Sequence, residues 1–276
     1  MDREWQQIAE DIPGSEGPVF DLDDRFFMVC PGRGQILRVD DDGTKTVFAD
    51  TGGIPAGLQV HRDNTLWCAD MKRCLLHVTA DGQVEGVVDR FEDGPMPGCN
   101  DCYFDSQGHL YFTAPAGSGR DEPIGKVFCR TAEGEVTLID EGLQFPNGLA
   151  VTDDDGTLIV AETMTRSLWA YDIVSPGKVA NRRLFAEHPG DDDGGGDGMD
   201  FDVEGNLLVA HYAGSSIDVF APDGTCIERV VTPFANPTNV HFRRDDSGIV
   251  YVTEISNQTL WRFRWDRPGQ KQFCDR

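Results

Sequence analysis

Six stretches of this 276-residue chain share one form, and that repetition restricts the fold more than any other feature. Each has a polar turn, an apolar strand, a short polar turn and a second apolar strand. They are DRFFMVCPGRGQILRVD from Asp24, DNTLWCADMKRCLLHVTADG from Asp63, GHLYFTAP running on to GKVFCRTAEG from Gly108, GTLIVAETMTRSLWAYD from Gly156, GNLLVAHYAGSSIDVFAPDG from Gly205, and GIVYVTEISNQTLWRFRWD from Gly248. The residues that follow the opening turns are Arg25, Thr65, His109, Thr157, Asn206 and Ile249, at steps of 40, 44, 48, 49 and 43. That is the length of a four-stranded propeller blade. The strands are rich in Val, Leu, Ile, Phe and Trp, and long helical periodicity is absent. A β-sandwich also uses many short strands, but it leaves six copies at one period unexplained. The expected fold is all-β: a six-bladed β-propeller of four-stranded antiparallel blades around a central channel, forming a single domain over residues 1–276. The first blade starts early, so WQQIAEDI is expected to pair with the last blade as its outer strand and close the ring.

Composition removes several function classes. The net charge of -24 argues against nucleic acid and anionic membrane as partners. Asp outnumbers Glu 34 to 14 and Arg outnumbers Lys 19 to 5, a bias that either a saline habitat or a GC-rich genome produces. No stretch is long and apolar enough for a spanning helix. The start, MDREWQQIAEDIPGSEGP, lacks an apolar core, so no signal peptide is expected and the location expected is cytoplasmic. The eight cysteines are then expected to be free thiols. One CxxC, Cys99 and Cys102, has no second pair to complete a zinc site.

A propeller turns loop position into geometry, because equivalent positions in different blades face one channel. Glu16 lies nine residues before Arg25, Asn100 nine before His109, Asn147 ten before Thr157, and Asp197 nine before Asn206. Four blades thus offer a metal-capable oxygen at one offset, in SEGPVFD, GCNDCYFD, FPNGLAV and GDGMDFD. Each adjoins a Gly or Pro expected to fix a tight turn before the innermost strand. Taken singly, Asn147-Gly148 reads as a hairpin turn, Asn100 as a turn cap and Glu16 as surface. The stretch around Asp197, EHPGDDDGGGDGMDFD, reads as a solvated loop and fits no EF-hand spacing. Asp191, Asp192 and Asp193 are expected to be solvated surface. The shared offset favours a central metal held by Glu16, Asn100, Asn147 and Asp197. Two carboxylates and two carboxamides are all hard oxygen donors, which suit Ca²⁺ better than zinc.

With these motifs on view, the chain resembles calcium-dependent phosphotriesterases of the diisopropyl fluorophosphatase type, within the SMP-30/gluconolactonase/lactonase group of six-bladed propellers. The resemblance rests on EDIPGSEGPVFD, GGIPAGLQ, GCNDCYFD, TAPAG, FPNGLAV, IVAET, GDGMDFD, LLVA and LWRFRWDRPGQKQFC, in order from about Glu10 to Cys274. It implies that Glu16, Asn100, Asn147 and Asp197 are catalytic calcium ligands. It also implies a second, structural calcium at Asp200, the Val240 carbonyl and His241. Gln59, Met71, Phe145 and Thr163 match pocket-lining positions, and Asp101 matches a carboxylate just behind the metal. A pocket Trp of the family aligns with Tyr212 and a pocket His with Ile255. The loops after Pro31 and after TAPAG are shorter than in the squid-type enzyme.

The expected chemistry is hydrolysis. A calcium with open coordination polarises a phosphoryl or carbonyl oxygen, and either a metal-bound water or the Asp197 carboxylate attacks. No GxSxG elbow, Walker loop or HExxH is present. Three readings stay open: a hydrolase of phosphotriesters and phosphorofluoridates, a lactonase using the same calcium, and a propeller that binds a ligand or protein without chemistry. The expected partner is a small ester, lactone or organophosphate met by a monomer.

Overall fold

The computed structural model describes residues 3–191 and 193–276. Six four-stranded antiparallel sheets are arranged as blades, and the inner strand of each packs against the inner strands on either side. The six inner strands are Glu16–Phe20, Pro55–Val60, Cys102–Phe104, Pro146–Val151, Gly196–Phe201 and Pro237–Phe242. The first of them also contacts the last, so the ring closes. From each inner strand the chain meanders outward, and the first five blades keep strand order equal to chain order.

The sixth blade takes its outer strand from the other end of the chain, as the repeat phase requires. Gln6–Ala9 pairs antiparallel with Thr259–Arg264, matching Gln6 to Arg262 and Ala9 to Leu260. Trp5 anchors this strand. Its ring lies 5.4 Å from Phe234 and 4.6 Å from Phe263, and its Nε1 donates to the Val231 carbonyl at 3.1 Å. Ring closure therefore combines a backbone ladder with an aromatic cluster.

Burial falls from the axis outward. Five of the inner strands are buried at every residue, whereas the outer strands Lys178–Glu187 and Cys226–Val231 alternate or face solvent. Apolar side chains fill the wedges between blades, in clusters such as Leu149, Leu158, Met199 and Val209. Proline opens three inner strands, at Pro55, Pro146 and Pro237, where a missing N–H costs no ladder bond. The eight cysteines are all free, and all but Cys226 are buried. Among the described residues no helix is long and apolar enough to cross a membrane.

Candidate metal centre

The four oxygen donors sit at one level of the channel, but not in turns. Glu16, Asn147 and Asp197 lie within inner strands, and Asn100 lies two residues before one. This corrects the expectation of a tight turn at each. The glycines beside them serve close approach instead. A Cβ on Gly148 would overlap the Asp197 carbonyl oxygen, and one on Gly198 would overlap the Asn239 side chain. The fourth blade thus packs its donor-bearing backbone directly onto that of the fifth, and the fifth packs its own onto the Asn239 side chain of the sixth, which only glycine permits.

Ala56 and Thr238 complete the ring at the same position of the second and sixth blades. All six residues line one cavity of about 340 Å³. Met71, Phe145, Thr163 and Tyr212 line it too, as does Ile255. Gln59 does not: it lies three residues deeper on its strand, on a small void shared with Asp101, Tyr103, Asn239, Val240 and His241. Asp191 is exposed, and Asp193 is exposed yet reaches the cavity rim. Asp192 lies outside the described residues.

Electrostatics show what the ring demands. Glu16, Asp101 and Asp197 converge in a buried region, and among the described residues no Lys or Arg pairs with them. Burial, then the charges of Asp197 and Asp101, push the Glu16 carboxyl well above its usual range. Burial and Asp101 do the same to Asp197, and burial raises Asp101 to about 7. Clustered buried carboxylates repel unless a cation neutralises them.

One atom marks the place for it. Asn147 Oδ1 is buried without a hydrogen-bond partner. Its orientation is set from behind: Thr163 Oγ1 donates to the Gly196 carbonyl at 2.7 Å and accepts from Asn147 Nδ2 at 3.2 Å. The amide nitrogen is thereby engaged and the oxygen left free. An unpaired buried carbonyl beside two carboxylates fits a hard divalent cation. Thr163, matched from sequence only as pocket wall, also orients the Asn147 amide. Thr163→Val is expected to weaken calcium binding about tenfold, while Thr163→Ser retains it. Calorimetric titration checks this, and equal affinities for the two variants would remove the role.

Asp101 is held just below the ring. Its Oδ1 accepts from Cys102 N–H at 2.8 Å, and Asn239 Nδ2 approaches Oδ2 at 3.4 Å. Asn239 and Thr238 were missed because the turn before Ile249 is longer, so the shared offset slips in the sixth blade. The same offset of nine applied to Thr65 would have found Ala56.

Deeper in the channel, Asp200 and His241 come together, with His241 Nδ1 3.3 Å from Asp200 Oδ2. Asp200 accepts from Phe201 N–H at 2.9 Å, Phe242 N–H at 3.2 Å and Gln272 Nε2 at 2.9 Å. Gln272 Oε1 is buried and unpaired, an oxygen beside Asp200 that no sequence signal indicated. Burial raises Asp200 to about 7 and lowers His241 to about 4.

These shifts fix a pH dependence for metal-free protein. Asp101 and Asp200 keep protons to about pH 7 when folded, whereas unfolded Asp releases them near pH 4. Across that window the native state binds more protons, so these groups make stability fall as pH rises. His241 acts oppositely: the unfolded His takes a proton near pH 6.5 and the folded one only near 4. Two carboxylates outweigh one imidazole, before Glu16 and Asp197 are counted. The rise in melting temperature on adding calcium is therefore expected to be larger at pH 7.5 than at pH 5.5. An increment independent of pH would contradict it.

A third buried polar group stands behind the fifth blade. His188 and His211 each place Nδ1 2.8 Å from Asp218 Oδ2, and Arg229 Nε and Ser216 Oγ donate to Oδ1 at 2.9 and 2.8 Å. Burial would raise Asp218, but the hydrogen bonds from His188 and His211 outweigh it and hold the carboxyl well below its usual range. With Arg229 as counter-charge, the carboxylate is satisfied without a metal.

Comparison with known proteins agrees with this architecture. Residues 14–256 match the SMP-30/Gluconolactonase/LRE-like region. The chain is 44% identical to the diisopropyl-fluorophosphatase of Loligo vulgaris, over 98% of this chain and 95% of that protein. It is 32% identical to a gluconolactonase of Zymomonas mobilis, over 80% of this chain and 70% of that one. The crystal structure of a calcium-binding protein, regucalcin, from Agrobacterium tumefaciens superposes with a TM-score of 0.84 at 20% identity, covering 99% and 97% of the two chains. This protein belongs to the SMP-30/gluconolactonase/LRE-like family.

Proposed function

We propose that this protein is a calcium-dependent hydrolase of uncharged phosphotriesters and phosphorofluoridates. The observation that carries the proposal is the unpaired Asn147 Oδ1, on the blade next to that of Asp197 and lining, with Glu16, a cavity open to solvent. Glu16, Asn100, Asn147 and Asp197 hold the catalytic ion. Asp200, His241 and the Val240 carbonyl hold a second one, with Gln272 Oε1 beside them. Bound calcium supplies Lewis-acid polarisation of the substrate's phosphoryl or carbonyl oxygen.

The rest of the reading concerns the chain's own groups. Ile54, Met71, Phe145, Met164 and Ile255 wall the cavity, and among the described residues no Lys or Arg lines it. Such walls take alkyl substituents and offer no partner to an anionic diester. Ile255 stands where the family places a His, so that wall supplies no proton acceptor. Asp197 is then the nucleophile. Its carboxylate oxygen attacks phosphorus, the leaving group departs with the bonding electrons, and water attacking the carboxyl carbon regenerates Asp197. A single turnover in ¹⁸O-labelled water, with enzyme in excess, tests this. Label is expected in the peptide carrying Asp197 and not in the first product; the reverse would assign attack to water.

A lactonase reading shares the site and is favoured by the gluconolactonase similarity. The apolar wall directs it toward alkyl-substituted lactones. Turnover of one fluorophosphate and a lactone panel, with and without EDTA, ranks the two. Failure on both, with calcium retained, would point to a binding propeller. Calcium at one hundred times its dissociation constant is expected to add about 2.7 kcal/mol of stability, so chelation lowers the melting temperature as well as turnover.

A further inference from the structure

The CxxC of Cys99 and Cys102 pairs Cys99 with a near neighbour in sequence, but the fold gives it a different partner. Asp70 brings Cys74 and Cys99 together: it pairs across the hairpin with Cys74, and its carbonyl accepts from Cys99 N–H at 3.1 Å. The two thiols donate to consecutive carbonyls, Cys74 Sγ to Met96 at 3.4 Å and Cys99 Sγ to Pro97 at 3.7 Å. They also interact directly with each other. Cys102 Sγ turns instead toward the Trp67 carbonyl. Both members of the pair touch the catalytic centre through one peptide or one turn. Cys99 precedes Asn100, and Cys74 ends the turn that begins at Met71 on the cavity wall. Gly98 packs against the Met71 backbone so tightly that a Cβ there would overlap its carbonyl.

We propose that Cys74 and Cys99 form a reversible disulfide that weakens calcium binding at the Glu16, Asn100, Asn147 and Asp197 ring; this rests on the metal reading above. The reaction removes two electrons and two protons from the thiols. With an azo oxidant such as diamide, the Cys74 sulfur adds to the N=N bond. Cys99 sulfur then attacks Cys74 sulfur and expels the hydrazine, so that two thiols and one azo compound give one disulfide and one hydrazine. The sulfurs must close to about 2.05 Å. The turn bearing Met71 and the segment bearing Asn100 absorb that movement, and a ligand oxygen tolerates only about 0.2 Å of displacement.

The test uses the full chain, calcium-free and reduced, treated with diamide; this oxidant leaves Met71 unchanged. A loss of two thiols, a mass lower by two hydrogens and a cross-linked peptide pair carrying Cys74 and Cys99 are expected. The calcium Kd is expected to rise about tenfold and to return with dithiothreitol. Cys74→Gly suits the left-handed backbone at this position, where φ is 68°. It is expected to bind calcium like the reduced parent before and after diamide. A map linking Cys99 to Cys102, linking either to another cysteine, or showing no cross-link overturns the pairing. A Cys74–Cys99 link with Kd changed less than twofold overturns the coupling. If the reduced protein takes up no calcium, the metal reading fails and the coupling with it, while the peptide map still decides the pairing.

Discussion

Asp197→Asn is expected to lower turnover on the order of 10⁴-fold while weakening calcium binding far less. The substitution keeps an oxygen at the ring and removes the charge that attacks. The 10⁴-fold loss corresponds to about 5.5 kcal/mol of barrier, within what a nucleophile held at its target supplies. Steady-state kinetics and calcium titration on one preparation give both numbers. A loss of turnover that added saturating calcium restored would reduce Asp197 to a ligand. By contrast, Asp191→Ser and Asp193→Ser together are expected to leave turnover within a few-fold, since both side chains face solvent. A large loss there would place the ligand in the wrong part of the loop.

Gly148→Ala is expected to be nearly as damaging without touching substrate. The added Cβ would overlap the Asp197 carbonyl oxygen, which is backbone and has nowhere to swing. The fourth and fifth blades must separate or the strand must shift. Overpacking of this kind costs about 3 kcal/mol or more, which lowers the melting temperature of a chain this size by about 6–12 °C. Asp197 moves with its carbonyl, so calcium affinity is expected to fall as well. Gly86→Ala is the matched control: a Cβ there meets nothing within 4 Å. Equal melting temperatures for the two variants would show that the close approach is not needed.

The two substitutions separate two kinds of information in the chain. The repeat period, the turn signals and the apolar strands were local, and six copies fixed blade number and the latch of Gln6–Ala9 on the last blade. A common offset then placed Glu16, Asn100, Asn147 and Asp197 on one level, because identical blades carry identical positions to the same depth. The offset failed where a turn changed length, which hid Asn239 and Thr238 in the sixth blade. It also misread the neighbouring glycines as turns, since a glycine needed for inter-blade contact looks the same in sequence as one needed for a positive φ.

What only the tertiary structure decided are relations between blades. Gln59 shares a strand with Ala56, yet three residues further along that strand it lines a deeper void and not the cavity. Thr163 orients Asn147 by spending its hydroxyl proton on Gly196, in the next blade. Gln272, from the end of the chain, donates to Asp200 and brings an unpaired oxygen beside it. Cys99 meets Cys74 rather than Cys102, because its N–H bonds to the Asp70 carbonyl, and Asp70 pairs with Cys74 across the hairpin of the second blade. By itself the sequence determined the fold and the ring of oxygen donors, because both repeat with the blade. The partners that orient those residues come from other strands and other blades at no fixed spacing, so only the closed ring reveals them.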